Sequence, residues 1–154
     1  MKPYADTNFF TRYYLEVPDS EGLGGLAEAA GRSGAGALPV SWFLRMEICN
    51  ALQLCLFRAR DFRQAHVTAE QVSAAMACLR EDLKRGALLR AVVLAVSDLE
   101  GQFEELSLRH TAKHGFRTYD LVHVASALLL GCDTFWSFDS KATRLAALEG
   151  LETI

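Results

Sequence analysis

Long apolar runs are missing from this 154-residue chain. Its longest apolar segment, residues 121–132, is interrupted by His123 and is too short to span a bilayer. The opening residues, MKPYADTNFF, hold no apolar stretch of the kind a signal peptide needs, so a cytoplasmic protein with no membrane association is expected. Cysteine is sparse. Cys49, Cys55, Cys78 and Cys132 stand far apart with no C-x-x-C pair, a spacing that suits neither a zinc site nor a small disulfide framework. They are expected to be buried free thiols in a reducing compartment. No excess of basic charge exists either: 16 Lys and Arg face 19 Asp and Glu, for a net charge of −3. That balance carries no whole-molecule footprint for nucleic acid, although charge can be segregated over a surface. No G-x-x-x-x-G-K-[ST] is present, and GLGGLA (22–27) follows VPDSE rather than a strand, so neither a P-loop nor a dinucleotide loop is supported.

What is present reads as one globular domain over residues 1–154, with 51% hydrophobic and 23% charged residues and enough length for a substantial core. Short β-like runs alternate with longer helical ones. KPYAD, GALPVS, ALLRAVVL, DTFWSF and LETI read as strands, with Pro39 marking the second as an edge or irregular one. Helices are predicted over 8–16, 20–30, 42–59, 69–85, 97–114, 118–131 and 139–148. Ser41, Thr68 and Thr118 are the predicted N-caps, and Gly115 is a natural stop. Strands separated by helices imply right-handed crossovers, hence an α/β fold with a central, mainly parallel sheet flanked by helices. In such sheets function gathers outside the carboxyl ends of the strands.

Four acids are predicted at that edge. Asp6 and Asp139 close the first and fourth strands, Glu47 lies in the second turn of the helix after LPVS, and Asp120 opens the apolar helix that follows Gly115. Each also has a purely structural reading: a loop acid or cap for Asp6, a solvated helix face for Glu47, a complement to the helix dipole for Asp120, an N-cap for Asp139. Four unpaired carboxylates in one cleft would repel by about 1–4 kcal/mol per close pair. A hard divalent cation with oxygen ligands, Mg²⁺ or Mn²⁺, would neutralise them, orient a water and stabilise charge on a phosphoryl group.

ADTN (5–8), RMEICNAL (45–52), RTYDLVHVASAL (117–128) and FWSFDSKATRLAAL (135–148) together resemble the PIN domain, most nearly the VapC-type toxins of bacterial toxin–antitoxin pairs. The blocks occur in the family's order over essentially the whole chain. The resemblance implies a Mg²⁺- or Mn²⁺-dependent ribonuclease acting on RNA, homodimeric and blocked by a cognate antitoxin protein. It places Asp6, Glu47, Asp120 and Asp139 in the metal site, with Asn8 beside it and Thr7 and Ser137 as supporting hydroxyls. With those four acids set aside the remaining charges nearly balance, and Arg12, Lys113, Arg117, Lys141 and Arg144 are candidate contacts to RNA phosphates.

Two other readings are weighed. A non-catalytic PIN-like binding module would be expected to have lost some of the acids. A receiver-like phosphotransfer domain also gathers acids and a lysine, but ADTN holds no acid pair and Lys141 follows Asp139 rather than ending its own strand. His123 is read as a packed histidine, His110 and His114 as helix-end complements to the dipole, and Trp42 and Trp136 as core. The amphipathic helices 42–59 and 69–85 are where a partner segment would lie.

Overall fold

The computed structural model describes residues 1–15, 37–62 (side chains as far as 59) and 67–153. Among the described residues the strands are β1 (Pro3–Ala5), β2 (Leu38–Ser41), β3 (Leu89–Val92), β4 (Thr134–Trp136) and β5 (Glu152–Thr153), and every strand pair is parallel. Between them lie α1 (Thr7–Leu15), α2 (Trp42–Phe62), α3 (Ala69–Arg85), α4 (Val96–Leu106), α5 (Thr118–Leu129) and α6 (Ser140–Leu148). This is the expected α/β arrangement of a parallel sheet flanked by helices. The helix predicted over 20–30 lies outside the described residues.

β4 is hydrogen-bonded between β1 and β5, with Pro3, Tyr4 and Ala5 opposite Thr134, Phe135 and Trp136. Among the described residues β2 pairs only with β3, although it lies against β1. Pro39 lies on the seam side of β2. The Leu38 N–H donates to Leu88 O on the β3 side, so alternation along the strand turns position 39 toward β1, where proline has no N–H to give. The irregular strand expected from Pro39 is thus irregular on one side only.

Packing follows the apolar periodicity. Leu44, Ile48 and Leu52 form the fully buried stripe of α2, which packs with α1 and α3. α5 packs between α4 and α6 and buries Leu121, Val124, Ala125 and Ala127. Ser41 caps α2 through the Leu44 N–H and Thr68 caps α3, as predicted, and Gln71 returns the Thr68 bond to complete a reciprocal capping box. Gly115 ends the helical run with a positive φ of 68°.

Several local expectations are corrected. The N-cap of α5 is Arg117, not Thr118, because the Asp120 carboxylate accepts the Arg117 N–H and starts the helix one residue earlier. α4 continues through a π-helical turn, Ser107–Thr111, into Ala112–His114. From that turn Arg109 and His110 both reach Glu149 at the end of α6, at 2.9 and 2.5 Å, so His110 is a side-chain partner rather than a dipole complement. Trp136 is core, but Trp42 is 49% exposed. All four cysteines are free thiols; only Cys132 is buried, Cys49 and Cys55 are half-buried and Cys78 is exposed. Among the described residues no helix is long and apolar enough to cross a membrane.

Leu52→Ala should cost about 2–5 kcal/mol by opening a cavity, and Thr68→Ala about 1 kcal/mol by removing the cap, both read from urea denaturation midpoints. Burial pushes the Cys132 thiol up to about 11. Native protein at pH 8 should therefore release the Cys78 signal to a disulfide reagent rapidly and the Cys132 signal only after denaturant is added.

Candidate active site

The ladder between β1 and β4 continues one step beyond the strands, where the Asp6 N–H donates to Trp136 O at 3.1 Å. This register puts Asp6 next to Ser137, whose hydroxyl donates to Asp6 Oδ2 at 2.5 Å. Asp6 Oδ1 accepts the Phe9 N–H from the first turn of α1. The same Ser137 oxygen accepts the Asp139 N–H at 2.9 Å, which ties the two strand-end acids together.

A cleft of about 530 Å³ opens over Asp6. Thr7, Asn8 and Thr11 line it from α1, and Arg117, Tyr119, Asp120 and His123 from α5 and the residue before it. Asp139 lines it from the cap of α6. The α2 wall is a single helical stripe of Glu47, Asn50, Ala51, Leu54, Cys55 and Arg58. Arg58 was missed in the sequence; counting three turns on from Glu47 along one face finds it. All four predicted acids, with Thr7, Asn8 and Arg117, share this cleft. Ser137 lies behind it as a buried support. Four of the candidate phosphate contacts lie elsewhere. Arg12 stacks over Phe138 at 4.0 Å, Lys141 Nζ donates to Gly115 O, Arg144 meets His114, and Lys113 is exposed at a helix end.

The acids do not face one another unpaired. Glu47 Oε2 lies 2.7 Å from His123 Nε2 and also accepts the Thr7 hydroxyl. His123 Nδ1 lies 3.0 Å from the Tyr4 hydroxyl, which burial keeps protonated. His123 is therefore packed, as expected, but packed as the link between a buried phenol and a cleft carboxylate. Asp139 Oδ1 accepts the Lys141 and Ala142 N–H groups, so its cap reading holds, while Oδ2 accepts from Arg117 Nη2 at 3.1 Å. Arg117 Nε lies 3.7 Å from Asp120 Oδ2.

Burial dominates Asp6 and holds its carboxyl above the usual range, against the opposing pull of His123, Ser137 and the Phe9 and Asn8 N–H groups. Burial acts the same way on Glu47 and is its largest single influence. There the His123 hydrogen bond and charge, with the Thr7 hydroxyl, together outweigh it and hold the carboxyl low.

In donor chemistry the cleft fits a hard cation: four carboxylates from four segments line one space. The hydrogen bonds to Glu47 and Asp120 fall on Glu47 Oε2 and Asp120 Oδ2. Among the described residues, no three His, Cys, Asp or Glu side chains stand close enough together to ligate one ion. Protein partners hold the acids instead: Arg117 for Asp120 and Asp139, His123 for Glu47, Ser137 for Asp6.

A search of solved structures finds Mycobacterium tuberculosis VapC20, a toxin that cleaves the sarcin–ricin loop, with a TM-score of 0.56 over 97% of both chains at 18% identity. The fold is VapC-like. No family model matches the sequence, and no curated protein matches it. The VapC-like fold thus stands on backbone geometry, with Asp6 and Asp139 following β1 and β4 and Glu47 and Asp120 reaching the same cleft from helices.

Because the folded-state pKa of Asp6 lies above the unfolded one, the unfolded chain gives up this proton first and ionisation favours unfolding. That cost is fully present above the folded pKa and gone below the unfolded pKa. An asparagine can keep the Phe9 N–H as donor to its oxygen and direct its own NH₂ to Ser137. Asp6→Asn in chelator should therefore raise Tm at pH 7, by about 2–4 °C per kcal/mol recovered, with the gain shrinking as the pH falls toward 4. An unchanged or lower Tm at pH 7 counts against the burial argument.

Proposed function

We propose that this protein is a divalent-metal-dependent ribonuclease, the toxin of a toxin–antitoxin pair. The observation that carries the reading is the convergence of Asp6, Glu47, Asp120 and Asp139, from four separate segments, on one cleft at the carboxyl edge of a VapC-like sheet. Solvated caps alone would scatter such acids over the surface. The structural neighbour is itself an RNA-cleaving toxin, which supports the substrate class.

Asp6, Asp120 and Asp139 would hold Mg²⁺ or Mn²⁺, with Glu47 completing the set. When bound, the ion supplies Lewis-acid activation of water and neutralises charge on a phosphoryl oxygen. The chain's own groups hold the carboxylates in place: Ser137 fixes Asp6, and His123 and Thr7 fix Glu47. Arg58 and Arg117 are the cations on the cleft lining suited to phosphate. The receiver-like alternative needs a lysine at the acids, whereas the Lys141 ammonium turns to the Gly115 carbonyl.

An antitoxin segment fits the outer face of α2. There the exposed Trp42 and Met46 border a mainly apolar groove of about 620 Å³ with Cys49 and Met76.

Purified protein should cleave RNA in Mg²⁺ or Mn²⁺ and stop in EDTA. Asp120→Asn and Asp139→Asn should each lower the rate at least about a hundredfold, as loss of several kcal/mol of metal-mediated stabilisation requires. Full cleavage in EDTA sinks the metal dependence. Full cleavage by both variants sinks the site. No cleavage by wild type with either metal favours the non-catalytic binding module.

A further inference from the structure

We propose that the Arg117 guanidinium is a resident counter-cation of the acidic cleft, which a divalent ion must displace from Asp120 and Asp139 before it can bind; this rests on the metal-dependent reading above. One side chain spans two of the proposed ligands, with Nη2 3.1 Å from Asp139 Oδ2 and Nε 3.7 Å from Asp120 Oδ2. Those acids come from different elements, the first turn of α5 and the cap of α6. The planar fork of arginine can serve both at once, where a lysine would meet one.

The arrangement is asymmetric in exposure. The Asp120 and Asp139 side chains are 7% and 26% exposed and the Arg117 side chain 64%, so Asp120 is buried, Asp139 half-buried and the cation lies on the solvent side with a way out. The acids do not depend on the guanidinium for their position. Backbone N–H groups of Arg117, Lys141 and Ala142 hold them and remain when it swings away. An exposed guanidinium is weakly held, and a hard divalent ion carries twice the charge to the same oxygens. The two cations cannot occupy one space, so Arg117 lowers metal affinity while it keeps the metal-free acids from repelling each other.

The test measures Mn²⁺ affinity of the full chain by electron paramagnetic resonance of free Mn²⁺, for wild type, Arg117→Gln and Lys141→Gln. The lysine variant loses the same unit of charge from an ammonium that donates to Gly115 O, and its backbone N–H to Asp139 is kept. Arg117→Gln should bind Mn²⁺ about tenfold tighter than wild type, with Lys141→Gln changing affinity at most about threefold. A second readout uses the wild-type chain alone, independent of how any variant folds: the Arg117 Nε–H resonance should move to the position of a free arginine as Mg²⁺ is added. Equal affinity of Arg117→Gln and wild type, or weaker binding by Arg117→Gln, overturns the displacement while leaving metal binding standing. An unmoved Nε–H resonance at saturating Mg²⁺ overturns it too. No Mn²⁺ binding by wild type or Arg117→Gln overturns both the displacement and the metal-dependent reading.

Discussion

The parallel pairing of β1 with β4 is the contact on which the rest of the site depends. Three residue pairs set its register, and the Asp6 N–H to Trp136 O bond carries it one step past the strands. Because successive side chains alternate, a slip of one residue would turn Asp6 away from Ser137 and into the opposite layer. With the register held, one serine hydroxyl donates to Asp6 and accepts from the backbone of Asp139, and the two strand ends become one unit. The register is secured by burial: Tyr4, Ala5, Phe135 and Trp136 are almost wholly removed from solvent, and Tyr4 stacks on Phe135. The cleft is therefore a by-product of core packing.

Around that unit the carboxylates are held by unlike means. Asp6 is buried and stays costly to ionise despite three kinds of compensation, whereas Glu47 has a histidine and a hydroxyl that more than offset its burial. Asp120 and Asp139 do double duty, capping their helices through backbone N–H groups while sharing a guanidinium. The cap readings and the functional readings of these acids are compatible, since one carboxylate has two oxygens and several lone pairs. For Asp139 the division is visible: Oδ1 serves the helix and Oδ2 faces the cleft.

Much of this was legible in the chain itself. Apolar alternation and length separated strands from helices, and the order of acids after strands located the cleft, because both are local patterns with a fixed geometric meaning. The Thr68 cap is readable for the same reason, its backbone partner at Gln71 being three residues away. What escaped depends on partners distant in sequence. Nothing near Arg117 announces Asp139, 22 residues on, and nothing near His110 announces Glu149. Trp42 looks like a core residue by composition, yet its position at the first turn of α2 turns it outward. The N-cap of α5 falls one residue before the position that a good capping side chain, Thr118, suggests, because Asp120 reaches back to the Arg117 N–H.

The Pro39 seam gives the molecule a division of labour. Asp6, Asp120 and Asp139 belong to the part of the chain built on β1, β4 and β5, while Glu47 rides on the helix that leaves β2. Among the described residues no ladder joins those two parts, and Glu47 reaches the Asp6 side of the cleft through the side chains of Thr7 and His123. The fourth acid is therefore latched rather than welded. Its position relative to the other three is set by side-chain hydrogen bonds and by the packing of α2 on α1, not by a strand ladder.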